Sequence, residues 1–128
     1  MSEDKIKEIL VKIEKAKATL DDALFLIEND KKLMAVNRLY YSIFYILCAL
    51  AEKYDFGTSN HTQLIGWFNK NFVAENKIDK DVSKTVHRLF DMRTKADYDF
   101  YSEFDITDIK NFYNEVCVFF DKILKLIN

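Results

Sequence analysis

The chain has 128 residues, and its 19 lysines and arginines nearly balance 21 aspartates and glutamates for a formal net charge of -2. No global field therefore draws it to nucleic acid or to an anionic membrane, and any such contact has to be local. With no proline and only two glycines, Gly57 and Gly66, the composition excludes a strand-and-turn architecture and points to an all-α protein.

Residues 3–28 alternate charges with Ile6, Ile9, Leu10, Ile13, Ala16, Leu20, Ala23, Leu24 and Ile27. This three-and-four spacing predicts an amphipathic helix with one wet face, which carries the acidic pair Asp21 and Asp22. The polar break Glu28 to Lys32 is short, so the next helix must fold back beside the first as a hairpin.

That second helix, Lys31 to Tyr54, is the most apolar stretch of the chain, yet it carries Asn37, Arg38, Tyr41 and Ser42 one turn apart from one another. Its apolar lower half predicts burial on more than one side, against the rest of the chain or a second copy. The polar cluster must be paired or put to use.

Gly57 is the expected stop, and Thr58 or Ser59 the expected cap, before a shorter third helix at about His61 to Phe72. A charged linker, Val73 to Lys80, leads to a fourth helix at about Lys80 to Tyr98, with Asp79 or Asp81 as its cap. Residues 97–105 mix acids with aromatics and read as a loop, in which Phe100, Tyr101 and Phe104 cover the end of the bundle. Thr107 is expected to cap a last helix running to about Leu126. The sum is one domain, residues 1–128, folded as an up-and-down bundle of four long helices and one shorter helix. Such a chain buries roughly two-thirds of the surface its unfolded form exposes, and needs no staple.

Cys48 and Cys117 fall within apolar helical runs and read as buried thiols suited to a reducing compartment. No basic-then-apolar leader opens the sequence, and the run Leu39 to Ala51 falls short of the roughly 20 residues of a membrane span. A soluble, cytoplasmic protein is expected, without a membrane partner. No residues have metal-ligand spacing and no glycine-rich phosphate loop exists, so neither metal nor cofactor is expected.

Three segments carry a resemblance. Asn37-Arg38-Leu39-Tyr40-Tyr41-Ser42-Ile43-Phe44-Tyr45 resembles the Asn-Arg-x-Tyr-Tyr-Ala-x-Phe signature of HEPN domains, which are small helical bundles. Asn60 to Phe68 resembles the middle segment of that family. Arg93-Thr94-Lys95-Ala96-Asp97-Tyr98 resembles the Arg-x-x-x-Asp-Tyr ending of one of its branches. The likeness covers about residues 5 to 127.

It implies a two-fold homodimer in which the arginine of an Arg-x4-6-His motif lines a shared cleft. In active members that pair resembles a metal-independent ribonuclease site, the histidine activating a ribose hydroxyl and the arginine steadying phosphorane charge. This sequence departs from the motif. Tyr98 stands where the shortest form places histidine, Asp99 and Phe100 follow, and His61 and His87 read as helix-start and helix-surface residues.

The catalytic candidates are accordingly Arg93, Asp97 and Tyr98, and the nucleotide-binding candidates are Arg38, Tyr41 and Arg93. A phenol with a pKa of about 10 is ionised in roughly one molecule per thousand at pH 7, so Tyr98 would need a large downward shift to act as a base. Asp97, four residues beyond Arg93, is placed to hold the guanidinium in a structural bridge. Arg38 is either bridged to an acid or a phosphate contact. Three readings follow. The chain is the partner of a minimal nucleotidyltransferase in a toxin-antitoxin-like module, with AMP transfer to Tyr98 or Tyr101; or a ribonuclease with a nonstandard site; or a non-catalytic dimeric module that binds nucleotide or RNA.

Overall fold

The structure, a computed structural model, describes residues 1–94 and 104–128, the side chains of Arg93 and Thr94 excepted. Among the described residues five α-helices follow one another: α1 (Glu3–Glu28), α2 (Lys32–Lys53), α3 (His61–Phe68), α4 (Lys80–Thr94) and α5 (Ile106–Ile127). α3 runs straight on into a π-helical segment, Asn69–Val73. Among the described residues there is no strand, and the all-α class is the one the sequence predicts.

α2 lies at the centre. Leu39, Ile43, Ile46, Leu47 and Leu50 have essentially no exposed surface. They share one core with Ile9, Ile13 and Ile27 of α1, Val86 and Leu89 of α4, and Val116, Phe119 and Ile123 of α5. Each such side chain contributes about 1.5–3 kcal/mol by leaving water. α2 has the length and apolar composition of a membrane-crossing helix, but here those side chains are spent on its own neighbours. The apolar excess expected on its lower half is thus taken up within the chain. The large apolar side chains left in water are elsewhere, including Phe25 on α1 at 63% exposure and Leu33 and Met34 at the start of α2.

Helix ends show where single-residue signals mislead. Asn60, not Thr58 or Ser59, caps α3, its side chain accepting from the Gln63 N–H at 3.0 Å. Thr58 is engaged otherwise, donating to Gln63 Oε1 and accepting from the Asn60 N–H. For α5 the cap is Asp105, not Thr107: Asp105 accepts from the Asp108 N–H at 2.9 Å while Asp108 accepts from the Asp105 N–H at 3.0 Å. This reciprocal box fixes the first turn two residues earlier. α4 begins at Lys80, placing Asp81 in its first turn, and Ser2 caps α1.

Among the described residues three helical stretches end in left-handed residues, and none is glycine: Asp30, Asp55 and Asn76 have φ of 61°, 60° and 56°. After each, the chain closes the paired hydrogen bonds of a Schellman turn, such as Lys31 N–H to Leu26 carbonyl and Phe56 N–H to Ala51 carbonyl, both at 2.9 Å. The expected stop at Gly57 is therefore made two residues earlier, by Asp55. The reversal at Asp30 folds α1 and α2 into the predicted hairpin, the most extensive helix pair in the structure. In the expected loop, Phe104 packs on Phe112 at 5.7 Å, while Phe100 and Tyr101 lie outside the described residues.

Candidate functional site

Away from the core, α2 presents a second stripe at three-and-four spacing: Arg38, Tyr41, Tyr45 and Cys48, all half-buried. At its upper end Arg38 donates to Asn37 Oδ1 from both Nε (3.1 Å) and Nη2 (2.8 Å). The guanidinium so held lies 5.2 Å from the centre of the Tyr41 ring, within cation–π range. Among the described residues no acid bridges Arg38. A surface cavity of about 420 Å³ opens beside it, bordered by Leu26, Leu33, Met34, Asn37 and Arg38.

Farther down, the Tyr41 ring lies 5.8 Å from Tyr45, and Lys15 of α1 places its ammonium 4.3 Å over the Tyr45 ring. Beside them His61, the first residue of α3, stacks on Phe44 with centroids 3.9 Å apart. Its Nδ1 meets the Tyr40 hydroxyl at 2.6 Å. Tyr40 is buried at 1% exposure, and a buried hydroxyl needs such a partner. His61 is thus a helix-start residue, as expected, but also one of a ring cluster built on α2. The signal was Tyr40 itself: a tyrosine inside an apolar helix demands a polar partner from another element.

This cluster opens onto a second cavity of about 290 Å³. α1 contributes Lys12 and Lys15, α2 contributes Phe44, Tyr45 and Cys48, and the turn into α3 contributes Thr58, Ser59 and His61. Burial pushes the Cys48 thiol up to about 11, against the downward pull of Lys12 and Lys15. It is therefore neutral at ordinary pH and no nucleophile. Lys12 also reaches Glu52 at 3.5 Å. A hydrogen bond to Glu52 and the charge of Glu52 raise the Glu8 carboxyl, and the same hydrogen bond lowers Glu52.

Arg38 and Tyr41 are brought together as the sequence predicts. The Arg93 backbone lies in the last turn of α4, one turn beyond Phe90, whose ring is 6.3 Å from Tyr40. The Arg93 side chain and Asp97, Tyr98 and Tyr101 lie outside the described residues. His87 is exposed on α4.

Comparison with known proteins comes to a consistent result. A family model described as the HEPN domain matches residues 10–126. A protein of Thermotoga maritima named "UPF0332 protein" is 35% identical over 113 residues, 88% of this chain and 86% of that protein. Two proteins of Methanocaldococcus jannaschii are also similar. "Putative toxin MJ0142" is 27% identical over 115 residues, covering 90% of this chain and 78% of its own. "Putative toxin MJ0605" is 33% identical over 98 residues, covering 77% and 73%.

Proposed function

From the premise that this chain belongs to the HEPN domain family, we propose that it is the toxin-like half of a two-gene module whose other half is a minimal nucleotidyltransferase. The names of the two archaeal relatives support the toxin-like role. The module works in the cytoplasm, where Cys48 and Cys117 stay reduced. In this reading the upper edge of α2 binds the phosphate of a nucleotide or RNA. The observation that carries it is the Arg38 guanidinium, oriented by Asn37, stacked on Tyr41 and set at the mouth of a cavity. A guanidinium fixed in this way is pre-organised for a phosphate, and the ring beneath it offers a stacking surface for a base.

Arg93 at the end of α4 completes the phosphate site, and a second copy of the chain closes the cleft. The exposed Leu33 and Met34, which border the same cavity as Arg38, are the apolar surface that copy would cover. The nucleotidyltransferase silences the toxin by adenylylation. The phenol oxygen of Tyr98 or Tyr101 attacks the α-phosphorus of ATP, pyrophosphate leaves, and the phenolic proton passes to solvent or a base of the transferase.

The test is purification with and without the neighbouring transferase, followed by intact-mass analysis after ATP and by incubation of the EDTA-treated protein with total RNA. Adenylylation lost on Tyr98→Phe with Tyr101→Phe, together with RNA binding lost on Arg38→Ala, is the expected result. RNA cleavage by the protein alone, abolished by Arg93→Ala, would replace this reading with that of a ribonuclease lacking histidine. Absence of both RNA binding and modification would leave a dimeric interaction module. A monomer by light scattering at micromolar concentration would remove the shared cleft.

A further inference from the structure

Another cleft, of about 270 Å³, lies between α4 and the first half of α5. Arg88 borders it from α4, Asp108, Asn111, Phe112 and Glu115 border it from α5, and Phe104 closes it just before that helix. Asp108, Asn111 and Glu115 share one edge of α5 because they follow one another at spacings of three and four. The Arg88 guanidinium lies 4.5 Å from the centre of the Phe112 ring, and its Nη1 is 3.6 Å from Glu115 Oε1. That separation exceeds the roughly 2.7–2.9 Å of a direct charge-assisted bond, so Glu115 orients the guanidinium and leaves most of its N–H donors open. Among the described residues Arg88 has no other charged partner. Asp108 gives one oxygen to the Asp105 N–H and keeps the other.

An arginine set beside a glutamate is a fixed dipole, and what complements it is a molecule whose two charges run the opposite way. An α-amino acid is such a molecule. Its carboxylate oxygens stand roughly 2.7–3.5 Å from its nitrogen by standard bond lengths and angles, close to the 3.6 Å between the facing atoms of Arg88 and Glu115. Laid along the pair, it sets its carboxylate on the guanidinium and its ammonium on Glu115 and Asp108, so that each charge meets its opposite. The Asn111 amide can serve either end, and the Phe104 ring, packed edge-on against Phe112 at 5.7 Å, is an apolar wall for the side chain. The volume falls just below the roughly 300–1,000 Å³ of drug-sized pockets, room for one amino acid and not for a peptide. We propose that this cleft binds a free α-amino acid with an apolar side chain. The inference does not depend on the phosphate reading of the Arg38 edge.

Calorimetric titration of the full chain with L-leucine, glycine, leucinamide, N-acetylleucine and γ-aminobutyrate tests it. L-leucine is expected to bind once per chain. Leucinamide, which stands in for the N-terminus of a peptide, and N-acetylleucine, which stands in for a C-terminus, should each bind at least about tenfold more weakly, and so should γ-aminobutyrate, whose charges lie too far apart. Arg88→Met and Glu115→Gln should each weaken leucine by at least about tenfold, and Phe104→Ala should bring leucine down toward the affinity of glycine. An exposed ion pair contributes little to stability, so both charge variants should melt with the unmodified chain. If Arg88→Met melts lower, Glu115→Gln, which keeps the guanidinium and the volume, carries the test alone. Leucinamide binding as tightly as leucine would reduce the cleft to a cation contact, and N-acetylleucine doing so would reduce it to an anion contact. Either result would overturn the proposal, as would no leucine binding in the millimolar range or binding unmoved by Glu115→Gln.

Discussion

On one side of α2, Leu39, Ile43, Ile46 and Leu50 are aliphatic and sealed from water; on the far side Arg38, Tyr41, Tyr45 and Cys48 repeat the same spacing with polar-tipped or aromatic groups, each half in water. Both stripes look alike to a count of apolar residues. Their difference is in what the side chain carries at its end. An aliphatic side chain does its work by displacing water and touching its neighbours. A tyrosine or arginine adds a directed contact that a ligand can take over. The aliphatic stripe holds the bundle together, and the aromatic stripe offers a surface to bind with.

The largest test of that division is truncation in each stripe. Ile46→Ala should lower the stability read from urea unfolding by about 2–5 kcal/mol, whereas Tyr45→Leu should cost clearly less. Equal losses would mean that Tyr45 belongs to the core. Cys48 sharpens the boundary, because it lies on the binding stripe yet its thiol is raised to about 11 from an ordinary 9.0. At pH 8 its thiolate fraction is about one in a thousand instead of about one in ten, so alkylation should run about 100-fold slower than for an unhindered thiol. The sign for stability follows. The folded state keeps the Cys48 proton, so this contribution is full below pH 9 and is lost as pH rises through 11. Tyr113, raised by burial to about 12, extends the same alkaline loss.

Tyr40 bridges the two stripes, its ring in the core and its hydroxyl on His61. Tyr40→Phe should cost about 1–2 kcal/mol in a thermal melt and loosen the His61 ring, visible in its imidazole proton signals. Smallest and farthest from either stripe, Asp105→Ala removes the α5 cap and should cost about 1 kcal/mol by the same melt. A loss as large as that of Ile46→Ala would mean that the caps, and not the aliphatic stripe, decide stability.

The helices were legible in the sequence because each presents its apolar residues at steady helical spacing, α1 from Ile9 to Ile27 and α5 from Ile109 to Ile127. Their ends were less so. Thr58, Ser59 and Asn60 are all good caps in isolation, and the choice among them is made by which oxygen sits three residues before the N–H it must meet. Glycine is the usual left-handed residue, yet the turn at Asp55 falls where α2 stops, two residues short of Gly57. Within the site, Arg38 over Tyr41 could be read from a spacing of three on one helix. Lys15 over Tyr45 could not, since it depends on how far α1 slides along α2. Nor could Phe44 against His61, which depends on where α3 begins.

The hairpin that closes at Asp30 also sets an order of events. α1 and α2 are neighbours in sequence, so bringing them together closes only a short loop, while α5 must return across the whole of α3 and α4 to reach the same core. Residues 3–53 are therefore the natural folding nucleus. Changes at their shared interface should slow folding, and changes where α5 docks should mainly speed unfolding. Since Lys12, Lys15, Phe44 and Tyr45 all belong to that hairpin, most of the lower cleft takes shape before the last helix arrives.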